Sequence, residues 1–345
     1  MADVGLFHHE ACSRHDTGWS HPEHQGRLRA VVQRMARSLP DLHGLVEPVE
    51  GTPVASELLR RVHTDAHIKA IRTAVDRAAG ANEILRLEVD TAVSAGSWDA
   101  AVAGAGCAVD AVRAVMENRY RSAFCAVRPP GHHATPDRAM GFCLFNGVAI
   151  AARSAIDEGL ADRVLIVDWD VHHGNGTQDT FYEDGEVYYL SMHASPHYPG
   201  TGSADERGAG HGEGTTLNLP LPMGLAADRY VDALVEGLEE AACFEPQLVI
   251  ISAGFDAALG DPLGGFTLEP DHFRKLTLAV HSLTSGSAEG RIVSVLEGGY
   301  EPTALGINVD THLRALVEAA TGTAPPRDAA GYFTVNPHPT GEGTR

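Results

Sequence analysis

The sequence predicts one α/β domain in which a mostly parallel β-sheet lies between helices. Segments with strand-like and helical apolar spacing alternate along the 345 residues, a pattern typical of parallel sheets flanked by helices. Hydrophobic residues make up 43% of the chain, which is ample for a full core. Clusters of polar residues follow the strand candidates directly, and open parallel sheets form their sites at that end of the strands.

Five short, β-rich apolar runs are the strand candidates. Parallel strands that are buried on both faces have continuous apolar sequences rather than alternating ones. The five runs are 122–127, 164–167, 186–192, 248–252 and 292–296.

Six segments with helical apolar spacing lie before, between or after these runs. A Pro/Gly-rich end follows the last of them, so we predict one domain over 1–322 and a loosely held tail over 323–345. Docking of that tail through Tyr332 and Phe333 is the alternative. The helix candidates are 27–38, 57–79, 97–118, 142–158, 230–242 and 271–285.

The formal net charge of −20 argues against nucleic acid as a direct partner, because phosphate binding needs a basic surface. It favours general solubility, with attraction of cationic substrates as the alternative.

The five cysteines include no Cys-x-x-Cys pair, which predicts free thiols in a reducing, cytoplasmic compartment. Neither a signal peptide nor an apolar run of membrane-spanning length is expected from the sequence.

The run at 164–167 leads directly into Asp168, Asp170 and His172. In an extended chain, residues two apart point to the same side, so these three groups can face one point as the strand ends. The turn around Asn175, which has a glycine on each side, is expected to end the strand. Carboxylates and an imidazole beside one another predict a metal site.

Three further clusters follow strand candidates. His132 and His133 end an Arg-Pro-Pro-Gly-His-His segment; an isolated His-His pair usually lies in a surface loop, but this pair follows a buried strand. Asp256 leaves another strand and is a candidate third metal ligand, whereas Asp261, before a proline, is interpreted as a turn residue. Tyr300 ends a Glu-Gly-Gly-Tyr segment whose glycines allow close backbone approach, so it is a candidate to reach inward.

Together these segments resemble the zinc-dependent histone deacetylase family. The resemblance is closer to its class II and bacterial histone deacetylase-like amidohydrolase branch, with acetylpolyamine amidohydrolases as relatives. It implies an arginase/deacetylase-like single domain with a mostly parallel eight-stranded sheet, so that 1–322 is a deacetylase-like catalytic domain. The matching pieces are Arg-Pro-Pro-Gly-His-His133, Gly-Phe-Cys-Leu-Phe-Asn146, Asp168-Trp-Asp-Val-His-His-Gly-Asn-Gly-Thr-Gln178, Tyr198-Pro-Gly-Thr-Gly202, Ser-Ala-Gly-Phe-Asp256 and Glu-Gly-Gly-Tyr300, with weaker matches at His21-Pro-Glu and Arg61-Val-His-Thr64.

The resemblance implies that Asp170, His172 and Asp256 bind a catalytic metal ion, Zn²⁺. Two carboxylates and one imidazole form a harder donor set than the commoner His-rich zinc sites, so Fe²⁺, Co²⁺ and Mn²⁺ are also compatible. The resemblance further implies a structural K⁺ or Na⁺ ion near Asp168, Asp170, His172 and Ser191.

The remaining catalytic groups implied by the resemblance are His132 and His133 as the acid/base pair and Tyr300 as the donor to the substrate carbonyl. Asp168 would lie behind His132 and Asn175 behind His133. Because a nearby anion stabilises a cation, we expect His132 to be the protonated imidazolium. A neutral amide leaves the pKa of the other ring lower, so His133 is predicted to be the general base.

The resemblance also predicts the substrate tunnel. Gly141, Phe142 and Tyr198 would line it, and Asp90 would hold the substrate backbone at its rim. Leu263 occupies the position where a polyamine-preferring relative carries an acidic residue. The segment His21-Pro-Glu-His-Gln-Gly-Arg27 departs from the family's His-Pro-Glu-x-Pro pattern, which leaves open the role of its arginine beside an internal channel for the released acid.

The predicted function is metal-dependent hydrolysis of an N-acyl amide, with Nε-acetyl-lysine of a protein or peptide as the substrate. The alternatives are an acetylpolyamine amidohydrolase, a non-catalytic acyl-lysine binding protein and an arginase-like ureohydrolase, which would need a second metal. Homo-oligomers occur among the relatives that the chain resembles. Among the other histidines, His63 and His193 are predicted to be structural, and the set His8, His9, His15, His21 and His24 is predicted to lie in loops or at the surface.

Overall fold

The computed structural model describes residues 2–325, in which eight parallel strands form one sheet. The spatial order is β2-β1-β5-β10-β9-β6-β7-β8, and every pairing within this sheet is parallel. A separate antiparallel pair, β3 and β4, lies outside it. The strands are β1 (Val4–His8), β2 (Val46–Glu50), β3 (Leu85–Arg86), β4 (Ala92–Val93), β5 (Ser122–Cys125), β6 (Val164–Asp168), β7 (Val187–Ala194), β8 (Thr216–Leu221), β9 (Leu248–Ala253) and β10 (Ile292–Leu296).

Helices cover the sheet and bury its apolar strands. The central strands β5, β6, β9 and β10 are buried along their whole length, as continuous apolar runs predict. The helices are α1 (Gly26–Ser38), α2 (Ser56–Leu59), α3 (Asp65–Ala81), α4 (Ser97–Met116), α5 (Gly147–Asp157), α6 (Asn175–Phe181), α7 (Ala227–Ala241), α8 (Pro270–Ala288) and α9 (Pro302–Thr321).

The predicted mostly parallel, eight-stranded α/β sheet is confirmed, and all five strand candidates form strands. Strands β1, β2, β3, β4 and β8 and helix α9 were not predicted from the sequence, and the segment from Asn175, predicted as a turn, begins helix α6. The outer strand β2 alternates charged residues with valines around a proline, and β8 contains Asn218 and Pro220, so neither has the continuous apolar sequence of a central strand.

Two helix predictions were wrong in their bounds. Helix α5 begins at Gly147, not at Phe142, because the backbones of Gly141 and Phe142 have φ of 55° and 69° and Asn146 caps the helix by accepting the N–H of Ala149. The predicted helix at 57–79 is two helices. Its break lies before Thr64, which caps α3.

The sheet order brings the candidate clusters together. Strands β5, β10, β9 and β6 are neighbours in that order, so the segments that follow their carboxyl ends meet at one edge. The predicted boundary at 322/323 falls just after α9, but Tyr332 and Phe333 of the predicted tail lie outside the described residues. Within residues 2–325, no helix has both the length and the apolarity to span a bilayer.

Candidate active site

Three side chains that could bind a metal ion meet beyond the ends of β6 and β9. Ligand atoms of Asp170, His172 and Asp256 all lie within 4.8 Å of one another, and the three residues are buried. Nδ1 of His172 is 3.0 Å from Oδ1 of Asp170 and 3.1 Å from Oδ2 of Asp256. Two carboxylate oxygens and one imidazole nitrogen thus converge on one point, a donor set suited to a divalent cation.

Backbone groups hold the two carboxylates in this orientation. The N–H of Gly298 donates to Oδ2 of Asp170 at 2.8 Å, and the N–H of Val171 donates to Oδ1 of Asp256 at 2.9 Å. A Cβ atom on Gly298 would collide with both carboxylates, and one on Gly254 would collide with Asp170. The absence of side chains at these two glycines therefore leaves the space in which the ligand atoms meet.

The predicted histidine pair lies beside this cluster. Nδ1 of His132 is 3.0 Å from Oδ2 of Asp168, and Nδ1 of His133 is 2.9 Å from Oδ1 of Asn175. The two ring centroids are 4.0 Å apart. Because the amide oxygen of Asn175 accepts a hydrogen bond from the N–H at Nδ1, the neutral ring of His133 has its lone pair on Nε2.

The environments of the two imidazoles shift their pKa values in opposite directions. Burial disfavours the charged form of His132, but the carboxylates of Asp168 and Asp170 outweigh it and raise the pKa of His132 to about 10. Burial, together with His132 and His172, holds the pKa of His133 well below its ordinary value. A charged ring and a neutral ring therefore lie side by side, which agrees with the predicted division of roles.

Tyr300 is buried, with 8% of its surface exposed. Its ring centroid lies 6.5 Å from that of His172 and 5.7 Å from that of Phe142. The guanidinium of Arg27 lies over the ring, 4.8 Å from its centroid. Burial raises the pKa of Tyr300 well above its ordinary value although Arg27 opposes the shift, so the hydroxyl remains a hydrogen-bond donor at neutral pH.

Aromatic rings form walls beside the histidines. The ring of Tyr198 meets that of His133 edge-on at 5.1 Å, and His21 meets Phe142 edge-on at 4.8 Å. Phe142 has a left-handed backbone, which is uncommon outside glycine and often marks a functional site. A Cβ on Gly141 would collide with the ring of His133, so these two positions set how closely the loop approaches the site.

The residues predicted at the tunnel rim are exposed or half-buried. Tyr198 is 37% exposed, and burial together with the hydrogen-bonded carboxylate of Asp90 raises the pKa of its hydroxyl. His21 bonds the backbone carbonyl of Asp90 through Nε2 at 2.9 Å. Leu263 lies at intermediate depth, and its carbonyl is 2.8 Å from Nε2 of His197. The rim therefore combines one carboxylate, one phenol and apolar surface.

Behind Tyr300 lies a buried ionic cluster that sequence analysis did not predict. Glu23, Arg27 and Arg128 each have no exposed surface. Both arginines donate to the carboxylate of Glu23, and Arg27 also donates to the carbonyls of Glu297 and Gly299, each at 2.5 Å. Arg27 thus restrains the backbone that leads to Tyr300; its predicted role beside a channel for the released acid stays a prediction.

Among the N-terminal histidines, which were predicted to lie in loops or at the surface, His15 lies outside helices and strands but is buried. This side chain is 1% exposed, bonds Ser97 Oγ at 2.7 Å and lies 3.5 Å from the carboxylate of Glu23. Burial lowers the pKa of His15 to about 4 although Glu23 opposes the shift. His63 and His193 are buried and hydrogen-bonded, as predicted.

Glu297 is a second residue whose role the sequence did not reveal. Its carboxylate is buried and accepts the N–H of Gly131 at 2.6 Å and that of His132 at 3.2 Å. Burial raises the pKa of Glu297 to about 7 although neighbouring His132 lowers it. The Glu-Gly-Gly-Tyr segment therefore also supports the histidine pair from behind. The feature of the sequence that could have indicated this role is the position of Glu297, a charged residue between an apolar strand and two glycines.

The support behind Asp168 comes from β7. Tyr189 donates its hydroxyl proton to Oδ2 of Asp168 at 3.0 Å, and Asp168 is the register partner of Ser191. Oγ of Ser191 in turn bonds Nδ1 of His193 at 2.9 Å.

Within residues 2–325, the cluster of Asp170, His172 and Asp256 is the single group of three or more His, Cys, Asp or Glu side chains with converging ligand atoms. A second ligand set, which the arginase-like alternative would need, is absent from that part of the chain.

Comparison with known proteins gives the same family as the sequence motifs. Residues 21–316 match the family described as "Histone deacetylase domain". A probable deacetylase of Archaeoglobus fulgidus is 34% identical over 298 residues, which cover 86% of this chain and 81% of the relative. The histone deacetylase-like amidohydrolase of Pseudomonas aeruginosa is 37% identical over 277 residues, 78% of this chain and 71% of the relative.

A solved structure is also similar. The crystal structure of the HDA15 HD domain superimposes with a TM-score of 0.85 at 35% sequence identity, and the match covers 94% of this chain and 91% of the other. Some relatives are longer: the chain spans 53% of a histone deacetylase from Arabidopsis thaliana. The predicted arginase/deacetylase-like fold is confirmed, and the chain belongs to the histone deacetylase family of hydrolases.

Proposed function

We propose that this protein hydrolyses the amide bond of Nε-acetyl-lysine in proteins or peptides and releases acetate. The observation that carries the proposal is the convergence of a buried Asp-His-Asp set, a histidine pair with opposite pKa shifts and a buried phenol around one point. An amide is a poor electrophile with a poor leaving group. The metal site and the phenol would make the carbonyl a better electrophile, and the histidine pair would supply a proton to the leaving amine.

Asp170, His172 and Asp256 would hold the metal ion. Their ligand atoms converge, and Gly254 and Gly298 leave space beside them, so the residues fit a divalent cation with an open coordination position. When bound there, Zn²⁺ would lower the pKa of a water molecule and polarise the substrate carbonyl. Fe²⁺, Co²⁺ and Mn²⁺ suit the same oxygen-rich set.

The histidine pair would handle the protons. His133 is neutral and has a free Nε2 lone pair, so it takes the proton of the attacking water and then supplies a proton to the departing amine. His132, held charged by Asp168, stabilises the negative charge that develops as the water attacks the substrate carbonyl. Tyr300 donates a hydrogen bond from its hydroxyl to the carbonyl oxygen as that oxygen becomes anionic.

The shape and charge of the rim favour a lysine side chain. Phe142 and Tyr198 present aromatic edges suited to a linear methylene arm, and Asp90 at the rim can accept a peptide N–H. Leu263, at the rim position that is acidic in a polyamine-preferring relative, supplies no negative charge for a second ammonium group. These features favour acyl-lysine over an acetylpolyamine.

The experiment is a substrate panel with purified, metal-loaded protein. The panel contains acetyl-lysine peptides, longer acyl-lysine peptides and N-acetylated polyamines, each with and without a chelator, and the readout is acid release. We expect chelator-sensitive turnover of acetyl-lysine peptides with kcat/KM at least about tenfold above that of acetylspermidine. Faster turnover of acetylspermidine would assign the polyamine function. Binding of acetyl-lysine peptides without turnover would assign the binding-protein alternative.

Two further parts of the proposal concern the surroundings of the reaction. All five cysteines are free, and four of them are buried, which supports a reducing compartment such as the cytoplasm. We also propose a structural K⁺ or Na⁺ ion near Asp168, Asp170, His172 and Ser191. The strand pairing that brings Asp168 beside Ser191 supports it.

A further inference from the structure

Asp261 connects the loop after β9 with the segment that carries Tyr300. Its Oδ2 accepts the N–H of Tyr300 at 2.6 Å and the N–H of Glu301 at 3.3 Å. Its Oδ1 accepts the N–H of Leu263 at 2.9 Å. One carboxylate therefore fastens three backbone donors from two loops, which is more than the turn that the sequence predicted for Asp261.

We propose that Asp261 is a positioning residue for amide hydrolysis and acts by holding the backbone of Tyr300. The proposal rests on the proposed function, in which the hydroxyl of Tyr300 donates to the substrate carbonyl. A positioning residue is needed here because Tyr300 follows Gly298 and Gly299, and Gly299 has φ of 115°. A glycine pair leaves the direction of the following residue poorly determined by the backbone itself.

The chemistry of the contact suits this role. Hydrogen bonds from backbone N–H groups to an ionised carboxylate are stronger than those between neutral groups. Helix α9 begins at Pro302, so Asp261 lies just before a helix N-terminus, where a negative charge is favoured. The contact at 2.6 Å to Tyr300 is the shorter of the two, which places the strongest restraint on the residue that bears the hydroxyl.

Arg27 restrains the same segment from the opposite side. It donates to the carbonyl of Gly299 and lies over the ring of Tyr300. Asp261 fixes the N–H of Tyr300, and Arg27 fixes the carbonyl of the residue before it, so both sides of one peptide unit are held. The ring of Tyr300 is thereby held 6.5 Å from that of His172, and Asp261 would act through the backbone of Tyr300 and not by touching the reacting atoms.

The first test is a double-mutant cycle with Asp261→Asn and Tyr300→Phe. A misplacement of a catalytic group by about 1 Å can cost about 10²-fold in rate, so we expect Asp261→Asn to lower kcat about 10- to 100-fold and to change KM by less than about threefold. In the Tyr300→Phe background, the same change should lower kcat by less than about twofold, because the hydroxyl that it positions is gone. Asp76→Asn, in an exposed ion pair on α3, is the matched control.

A second readout does not require activity. Hydrogen exchange of the amides of Tyr300 and Glu301 should be faster in Asp261→Asn, whereas β10 should keep its protection. If Asp261→Asn does not accumulate as folded protein, Asp261→Ser, which keeps a hydroxyl acceptor, takes its place in both experiments.

Three results would overturn the proposal. They are a kcat within twofold of the wild type, an equal loss of kcat with and without the hydroxyl of Tyr300, and unchanged exchange of the two amides. A wild-type protein without turnover on any substrate would count against the proposed function instead, and the exchange experiment would then decide whether Asp261 holds Tyr300.

Discussion

Replacement of His133 by glutamine is expected to lower kcat by about 10²- to 10⁴-fold, the usual contribution of a positioned acid/base group. The neutral imidazole of His133 would move a proton twice in each turnover, and an amide side chain cannot do so. KM should change much less, because in the proposed function His133 would contact the reacting end of the substrate and not its arm. Steady-state kinetics on an acetyl-lysine peptide measure both quantities, with the exposed His211 replaced by glutamine as the control.

The pH profile provides a second readout of the same prediction. His133 is active as a base when it is neutral, and burial holds its pKa low, so activity should persist as the pH falls until it reaches that pKa. Asn175→Asp places a carboxylate on Nδ1, which raises the pKa of His133. The acidic limb of kcat/KM should therefore move to higher pH. An unmoved limb, together with a loss of less than tenfold in His133→Gln, would contradict the assignment of His133 as the base.

Tyr300→Phe is the second change with a large expected effect. Loss of one donor to a developing oxyanion typically costs about 10²–10³ in turnover, and the buried ring keeps its contacts with Phe142 and Arg27, so the fold should be unaffected. The measurement is kcat with the melting temperature as a check on stability. A loss of less than about tenfold would exclude Tyr300 as the donor.

Tyr198→Phe is the matched control for this prediction. It removes the hydroxyl of a second tyrosine ring, which lies at the exposed rim and bonds Asp90, and which would not donate to the reacting carbonyl in the proposed function. We expect a change in kcat of less than about threefold. Equal losses at the two tyrosines would mean that the hydroxyl of Tyr300 has no special relation to the reacting carbonyl.

The central half of the fold was predictable because its strands are buried on both faces. Continuous apolar runs such as 164–167 and 292–296 have few other structural interpretations, and polar clusters at their carboxyl ends follow from sheet geometry. The outer strand β2 was missed because charged residues and a proline at a sheet edge give no such signal. The start of α5 was missed because Phe142 adopts a left-handed backbone, which tertiary contacts impose and local sequence preference opposes.

The candidate site was predictable where spacing or motif placed the residues. Asp168 ends β6, and Asp170 and His172 follow it within four residues, so their proximity followed from their closeness in sequence at the end of a buried strand. The residues that hold the site from behind were not predictable in the same way. Glu297 and Asp261 accept backbone N–H groups of distant segments, and Glu23 accepts guanidinium N–H groups of Arg27 and Arg128. Only the folded chain shows these pairings.

The most direct test of the account is the dependence of turnover on metal. Purified protein would be stripped with a chelator, titrated with Zn²⁺, and assayed for metal content and for acetate release from an acetyl-lysine peptide. We predict that turnover disappears with the metal and returns at about one equivalent per chain, and that Asp256→Asn neither retains that equivalent nor recovers activity. Undiminished turnover of the metal-free protein would contradict the account.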